Sequence, residues 1–244
     1  MFRLLSAPLA EDAIEAIAFD LDGTLLDSET GWFKTFQAVM AAHEQIWTLE
    51  DHLMEMSSSG AEWYERMEAK LGLGWEFDRY KNMVHSVRDI VDPDHPRLFP
   101  GVTEMLEQMF GRWSLAIASS GSKTDVTHNL NAVGIEQYFS VIVGGDEVKN
   151  AKPAPDVYIK AAKTLGLDPR HCLAVEDSMN GVRSAVEAGL QVVALSHPDF
   201  PIPDSELESC DGVITDIQEL PHWLEFRLAL TPERDRETSR AGLD

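Results

Sequence analysis

Two acidic pairs and a cluster of small hydroxyls follow directly on apolar runs in this chain, and one lysine sits in the loop after a further run, at 138–143. Asp20 and Asp22 close the run at 14–19. Residues two apart on an extended chain face the same side, so the two carboxylates can converge on one cation or one reacting atom. Gly23 then lets the backbone turn sharply away. Ser119, Ser120, Gly121 and Ser122 follow the run at 113–118, where hydroxyls and free N–H groups at a helix start can hold an anion. Lys152 opens Lys-Pro-Ala-Pro-Asp, a loop stiffened by two prolines. Glu176, Asp177 and Ser178 follow the run at 172–175. Each has a plain alternative taken singly: an Asp-rich turn, an N-cap, a solvated lysine, a second acidic turn.

The elements that must position these residues decide between the readings. Short apolar runs at 14–19, 113–118, 138–143, 172–175 and 191–195 read as buried strands, and helical periodicity separates them from Gly101 onward. Helices between strands imply parallel pairing and an α/β, doubly wound sheet. Ligands of such sheets collect outside the carboxyl ends of the strands, which is where all four groups fall. Between the first strand and the second the pattern is helical throughout. Trp32, Phe33, Phe36, Val39 and Met40 share one spacing, Trp63, Met67 and Leu71 another, and Phe77, Tyr80, Val84, Val87 and Val91 a third. Ser59 and Glu62 suggest a capping box, and Gly72 and Gly74 a helix stop. The helical stretch is therefore an insertion: a cap at 30–97, an α/β core at 10–29 and 98–230, and a charged tail at 231–244 expected to be disordered.

The formal charge of -22 argues against nucleic acid or an anionic membrane as the main partner, because both would be repelled. An anionic substrate must then be received by a placed lysine or a metal. Cys172 and Cys210 are far apart and suggest neither a disulfide framework nor a zinc site. No apolar run reaches membrane length or resembles a signal segment, so cytoplasm is the expected compartment and a monomer the default.

Phe-Asp-Leu-Asp-Gly-Thr, Ala-Ser-Ser-Gly, Lys-Pro-Ala-Pro-Asp and Val-Glu-Asp-Ser-Met-Asn-Gly-Val, in that order, resemble the haloacid dehalogenase superfamily in its branch with a helical cap, over about 14–195. The resemblance implies a phosphomonoester hydrolase acting on a small phosphorylated metabolite, a sugar or polyol phosphate. It implies Asp20 as the nucleophile that forms an aspartyl phosphate and Asp22 as acid and then base. Ser119, with Ser120, Gly121 and neighbouring N–H groups, would hold phosphoryl oxygens, and Lys152 would offset their charge. One lysine cannot balance four carboxylates and a phosphate, so a divalent cation is expected, and oxygen ligands suit Mg²⁺. Its implied ligands are Asp20, the main-chain carbonyl of Asp22 and Asp177, with Glu176 on the ion or one layer out. The mutase branch, similar to β-phosphoglucomutase, carries a His where this chain has Trp32, which favours hydrolysis over phosphomutase chemistry. A phosphometabolite-binding regulator is the reading from another class, and an intact acidic pair counts against it. The cap's tryptophans and methionines read as its own core, with Glu29, Trp32 and Trp63 the candidates to line a substrate pocket.

Overall fold

A computed structural model of the chain describes residues 3–4, 14–56, 58 and 60–229. The expected tail at 231–244 and Ser59 of the expected capping box lie outside the described residues. Six parallel strands form the sheet: β2 (Ala16–Phe19), β3 (Ser114–Ala118), β4 (Val141–Val143), β5 (Cys172–Glu176), β6 (Gln191–Leu195) and β7 (Gly212–Ile214). Their order is β7-β6-β5-β2-β3-β4, and β1 (Arg3–Leu4) adds an antiparallel edge beside β7. The acidic strand β2 thus lies inside the sheet, between β3 and β5.

Alternation along β2 explains what covers each face. Ile17 and Phe19 join a core with α5 (Val102–Met109), α6 (Lys123–Ala132) and α10 (Leu220–Ala229), while Ala16 and Ala18 face α7 (Asp156–Leu165) and α8 (Met179–Glu187). Alanines also face that side from β3 and β5, namely Ala116, Ala118 and Ala174, so α7 and α8 can pack close to the strands. A short helix, α9 (Asp204–Leu207), links β6 and β7.

Four helices lie between β2 and β3: α1 (Glu29–Ala41), α2 (Leu49–Glu55), α3 (Gly60–Leu71) and α4 (Phe77–Val91). They share a core of Phe36, Val39, Met40, Trp47, Met67, Tyr80 and Val84. The two connections run antiparallel to one another: Asp27 N–H donates to Arg97 O at 3.0 Å and Phe99 N–H to Leu25 O at 3.0 Å. Arg97 adds an ion pair to Asp27 at 3.1 Å and one to Asp92 at 2.5 Å. Gly72 and Gly74 sit at positive φ just past α3, as a helix stop requires.

The structure differs from the sequence expectation in length at several strands. The run at 138–143 begins as a 3₁₀ turn, Glu136–Tyr138, and only Val141–Val143 pair with β3. Trp113 falls outside β3 and instead donates its indole N–H to Ile14 O at 3.2 Å. Helix α2 carries a capping box that periodicity does not mark: the Thr48 hydroxyl accepts from Asp51 N–H at 3.1 Å while the Asp51 carboxylate accepts from Thr48 N–H at 2.9 Å.

Candidate active site

Parallel register brings the strand ends together. Phe19 is opposite Val175 on β5 and Ile117 on β3, so the next residue on each strand puts Asp20 beside Glu176 and Ala118. Asp20 N–H continues the ladder to Val175 O at 3.0 Å. By alternation Asp20 and Glu176 extend the alanine face toward α7, where the loop after β4 delivers Lys152. The Lys152 ammonium bridges Asp20 Oδ1 and Glu176 Oε1, each at 2.5 Å, and all three side chains are buried. Tyr158 of α7 donates to the same Glu176 oxygen at 2.6 Å, and Ser178 donates to the other at 3.3 Å. Glu176 is therefore anchored on both oxygens. The residue that sequence reasoning missed here is Tyr158, which helical spacing marks only as part of an apolar face.

Asp177 is placed differently. The Thr24 hydroxyl donates to its Oδ1 at 3.1 Å, whereas its Oδ2 is buried without a hydrogen-bond partner. Oxygens of Asp20, Glu176 and Asp177 lie within 4.8 Å of one another. Gly23, at φ +81, lets the chain pass so close that a Cβ there would lie 2.0 Å from Asp177 Oδ2. His197 Nε2 holds the Gly23 carbonyl at 2.8 Å.

Charge follows from this crowding. Burial pushes the Asp20 carboxyl well above the usual carboxylate range, with Lys152 pulling it back and Glu176 adding to the rise. Burial does the same to Asp177, where Asp20 and Glu176 add to it. Burial alone would lower the Lys152 pKa, but Asp20 and Glu176 outweigh it and hold the ammonium above the lysine range. Three carboxylates around one ammonium leave two negative charges uncompensated if all ionise. That excess, with an orphaned Asp177 oxygen and an all-oxygen donor set, fits a hard divalent cation.

Asp22 is only partly buried, and its carboxylate is not one of the three gathered oxygens. Its enclosure raises its pKa, with Glu29 adding, while Arg88 and the Ser28 hydroxyl lower it. A carboxyl that keeps its proton longer suits an acid. Ser119, at the end of β3, is buried and accepts from Gly121 N–H at 3.1 Å; its own N–H goes to Val143 O at 3.0 Å. These two N–H groups are thus engaged within the protein, and the loop offers the Ser119 hydroxyl as donor instead. Two glycines after β4 let this loop close against its neighbour, since a Cβ on Gly145 would lie 2.4 Å from Ser120 O and one on Gly144 would lie 2.3 Å from Lys123 N.

The helical layer reaches the strand ends through α1, α2 and α4. Glu29 opens α1, and its Oε2 lies 3.1 Å from Nε2 of His52 on α2. His52 is buried among Phe33, Phe36 and Phe200, so the core loop bearing Phe200 packs directly on α1 and α2. Asn180 donates to Met56 O at 3.1 Å, and Lys81 pairs with Asp125 at 2.8 Å. Trp32 stacks on Phe36 and under the Arg88 guanidinium, whose carbon lies 3.5 Å from the ring centre. Trp63 is not brought into this group. It meets Phe77 edge-on within the helical layer's own core, as its spacing also allowed.

A doubly wound sheet with carboxylates, a hydroxyl and a lysine at its carboxyl edge defines a site for displacement at an anionic centre. The family model of haloacid dehalogenase-like hydrolases matches residues 17–195, and the chain belongs to that family. It is 31% identical over 179 residues to the phosphorylated carbohydrates phosphatase of Thermotoga maritima, covering 73% of this chain and 83% of that one. It is 34% identical over 214 residues to protein CbbY of Rhodobacter capsulatus, covering 78% and 93%. The crystal structure of CbbY from Rhodobacter sphaeroides with xylulose-(1,5)-bisphosphate superposes with a TM-score of 0.71 at 26% identity, covering 85% of this chain and 96% of that one. Among the described residues, no helix is long and apolar enough to cross a membrane.

Proposed function

We propose that the chain hydrolyses small phosphomonoesters by covalent catalysis at Asp20. The observation that carries this reading is the pairing of Asp20 and Glu176 across one lysine beside the unpartnered Asp177 oxygen. Asp20 attacks phosphorus, the P–O bond to the leaving alcohol breaks, and Asp22 gives that oxygen its proton. Asp22 then takes a proton from the water that cleaves the aspartyl phosphate, and inorganic phosphate leaves. Ser119 donates its hydroxyl hydrogen to a phosphoryl oxygen, its acceptor side being already used by Gly121 N–H. Lys152, held by a Glu176 that Tyr158 anchors, orients Asp20 and pulls its carboxyl toward the ionised form.

Asp20, Asp177 and the Asp22 carbonyl would hold Mg²⁺, with Glu176 one layer out. Bound there, the ion supplies positive charge that offsets the phosphoryl group against the surrounding carboxylates. Helices α1–α4 serve as the cap that closes on the substrate, a sugar or polyol phosphate in keeping with the names of the relatives. Trp32 stands where the mutase branch carries its His, which favours transfer to water over transfer within a sugar phosphate.

Release of inorganic phosphate from p-nitrophenyl phosphate tests the reading. Turnover that appears with Mg²⁺ and stops with chelator is expected; no turnover across a panel of phosphorylated metabolites with Mg²⁺ present contradicts it.

Mg²⁺ is also expected to raise the melting temperature, and more at pH 8 than at pH 5. Asp20 and Asp177 have folded-state pKa values raised above their unfolded ones. They therefore stabilise the metal-free fold while protonated and lose that contribution as pH rises through the folded values. A ligand at about 100 times its Kd contributes roughly 2.7 kcal/mol, and a chain of this length shifts by roughly 2–4 °C per kcal/mol, so a rise of about 5–10 °C is expected at pH 8. Thermal scans at both pH values check this, and a larger rise at pH 5 would contradict it.

A further inference from the structure

His197 touches the turn that follows Asp22, and the chemistry above gives it no task. It stands just past β6, on a loop fastened to β7 by Ser196 N–H, which donates to Ile214 O at 2.9 Å. β6 pairs with β5, the strand that ends in Glu176, so the imidazole arrives from the same edge of the sheet as the acidic cluster. There it makes two contacts across the chain. Its Nε2–H donates to the Gly23 carbonyl at 2.8 Å, and its ring lies against Phe99, 4.9 Å between centres and 14° from parallel. Phe99 N–H in turn donates to Leu25 O at 3.0 Å. One side chain thus ties the loop after β6 to the turn at 23 and to the returning connection at 99.

The other backbone bonds of that turn are local. Gly23 N–H donates to Leu26 O, and Leu25 and Leu26 N–H both donate to Leu21 O, each at 2.9 Å, so they close the turn on itself without aiming it. Gly23, at φ +81, restrains its own dihedrals less than any other residue would. A bond at its carbonyl therefore helps to decide where the groups on either side point. Before it comes the main-chain carbonyl of Asp22. After it comes Thr24, fully buried, whose hydroxyl occupies Asp177 Oδ1 at 3.1 Å and leaves Oδ2 bare.

Resting on the metal site of the phosphatase reading, we infer that His197 is a positioning residue for the divalent cation: by holding the Gly23 carbonyl it aims the Asp22 carbonyl and the bare Asp177 oxygen together. A partner one layer behind metal ligands acts in this way, and its loss weakens metal binding while every ligand is still present. The role needs the donor at Nε2. The stack on Phe99 seats the ring, and by itself would serve only the fold.

The test is calorimetric titration of Mg²⁺ into the metal-free full chain, for the wild type, His197→Gln, His197→Phe and His197→Ala. Glutamine carries an amide N–H to about the place of Nε2, whereas phenylalanine keeps the ring on Phe99 and lacks the donor. In His197→Phe the Kd for Mg²⁺ is expected to rise about 10- to 100-fold, and in His197→Gln to stay within about threefold of the wild type. His197→Ala, which loses ring and donor from a half-buried loop position, is expected to rise at least as far as His197→Phe and decides the matter should the latter not fold. For both donor-free variants kcat on p-nitrophenyl phosphate at saturating Mg²⁺ is expected within about threefold of the wild type. An unchanged Kd without the donor, an equal rise in His197→Gln and His197→Phe, or a loss of kcat that saturating Mg²⁺ does not restore overturns the assignment of His197. A wild type that binds no Mg²⁺ contradicts the metal site and the role of His197 with it, whereas Mg²⁺ binding without phosphate release contradicts the hydrolytic reading alone.

Discussion

Asp20→Asn is expected to slow phosphate release from p-nitrophenyl phosphate by on the order of 10⁴-fold or more, the scale on which loss of a covalent nucleophile acts. The loss should appear in kcat, because Ser119, Lys152 and the cap remain to bind substrate. Asparagine has nearly the same shape as aspartate, and Lys152 keeps Glu176 as a partner at 2.5 Å. The variant also removes one member of a crowded acidic cluster whose pKa burial has pushed up. Its metal-free melting temperature at neutral pH should therefore equal or exceed that of the wild type. Phosphate assays and thermal scans on one preparation separate these effects. Activity within about tenfold of the wild type would remove Asp20 from the covalent role.

Lys152→Met is expected to be the most damaging single change to the fold. It leaves Asp20 and Glu176 in a dry site without their shared cation, and breaking a buried ion pair by removing one partner costs about 3–5 kcal/mol. At roughly 2–4 °C per kcal/mol, the metal-free melting temperature should fall by about 6–20 °C at neutral pH. The sign with pH follows from the carboxylates. Without the ammonium the Asp20 pKa, already raised, rises further, so the deficit should shrink as pH falls and that carboxyl protonates. Adding Asp20→Asn should recover part of the loss, since the two sites share one contact and are not additive. An unchanged melting temperature in the single variant would mean that the triad is not the buried ion pair described.

The strand-end groups were legible in the sequence because a parallel sheet gathers the carboxyl ends of its strands. Asp20, Ser119 and Glu176 need only be the first polar residues after apolar runs for the register to assemble them, and Lys152 is marked by the two prolines that stiffen its loop. Residues contributed by helices gave no such signal. Tyr158 and Arg88 occupy positions that periodicity assigns to an apolar face, and His52 sits on a seven-residue helix too short for a clear period. Their partners are 18, 56 and 23 residues away along the chain for Tyr158–Glu176, Arg88–Trp32 and His52–Glu29, and only the packing of helices on one another and on the sheet sets those meetings. Strand β7 is only three residues long, and α10 has little amphipathic pattern because Phe226 lies on its exposed side while Arg227 is buried. Trp63 shows the reverse case, an aromatic eligible for the site that packing assigns to the core shared by α1–α4.

The claim on which the rest depends is that Asp20 carries the phosphoryl group. Acid-quenching the enzyme during steady-state turnover, followed by peptide mass spectrometry, tests it most directly. The account predicts one added phosphoryl group on the peptide containing Asp20, labile to hydroxylamine as an acyl phosphate is, and absent from Asp20→Asn. A phosphoryl group on any other side chain, or an equal yield from Asp20→Asn, would contradict it.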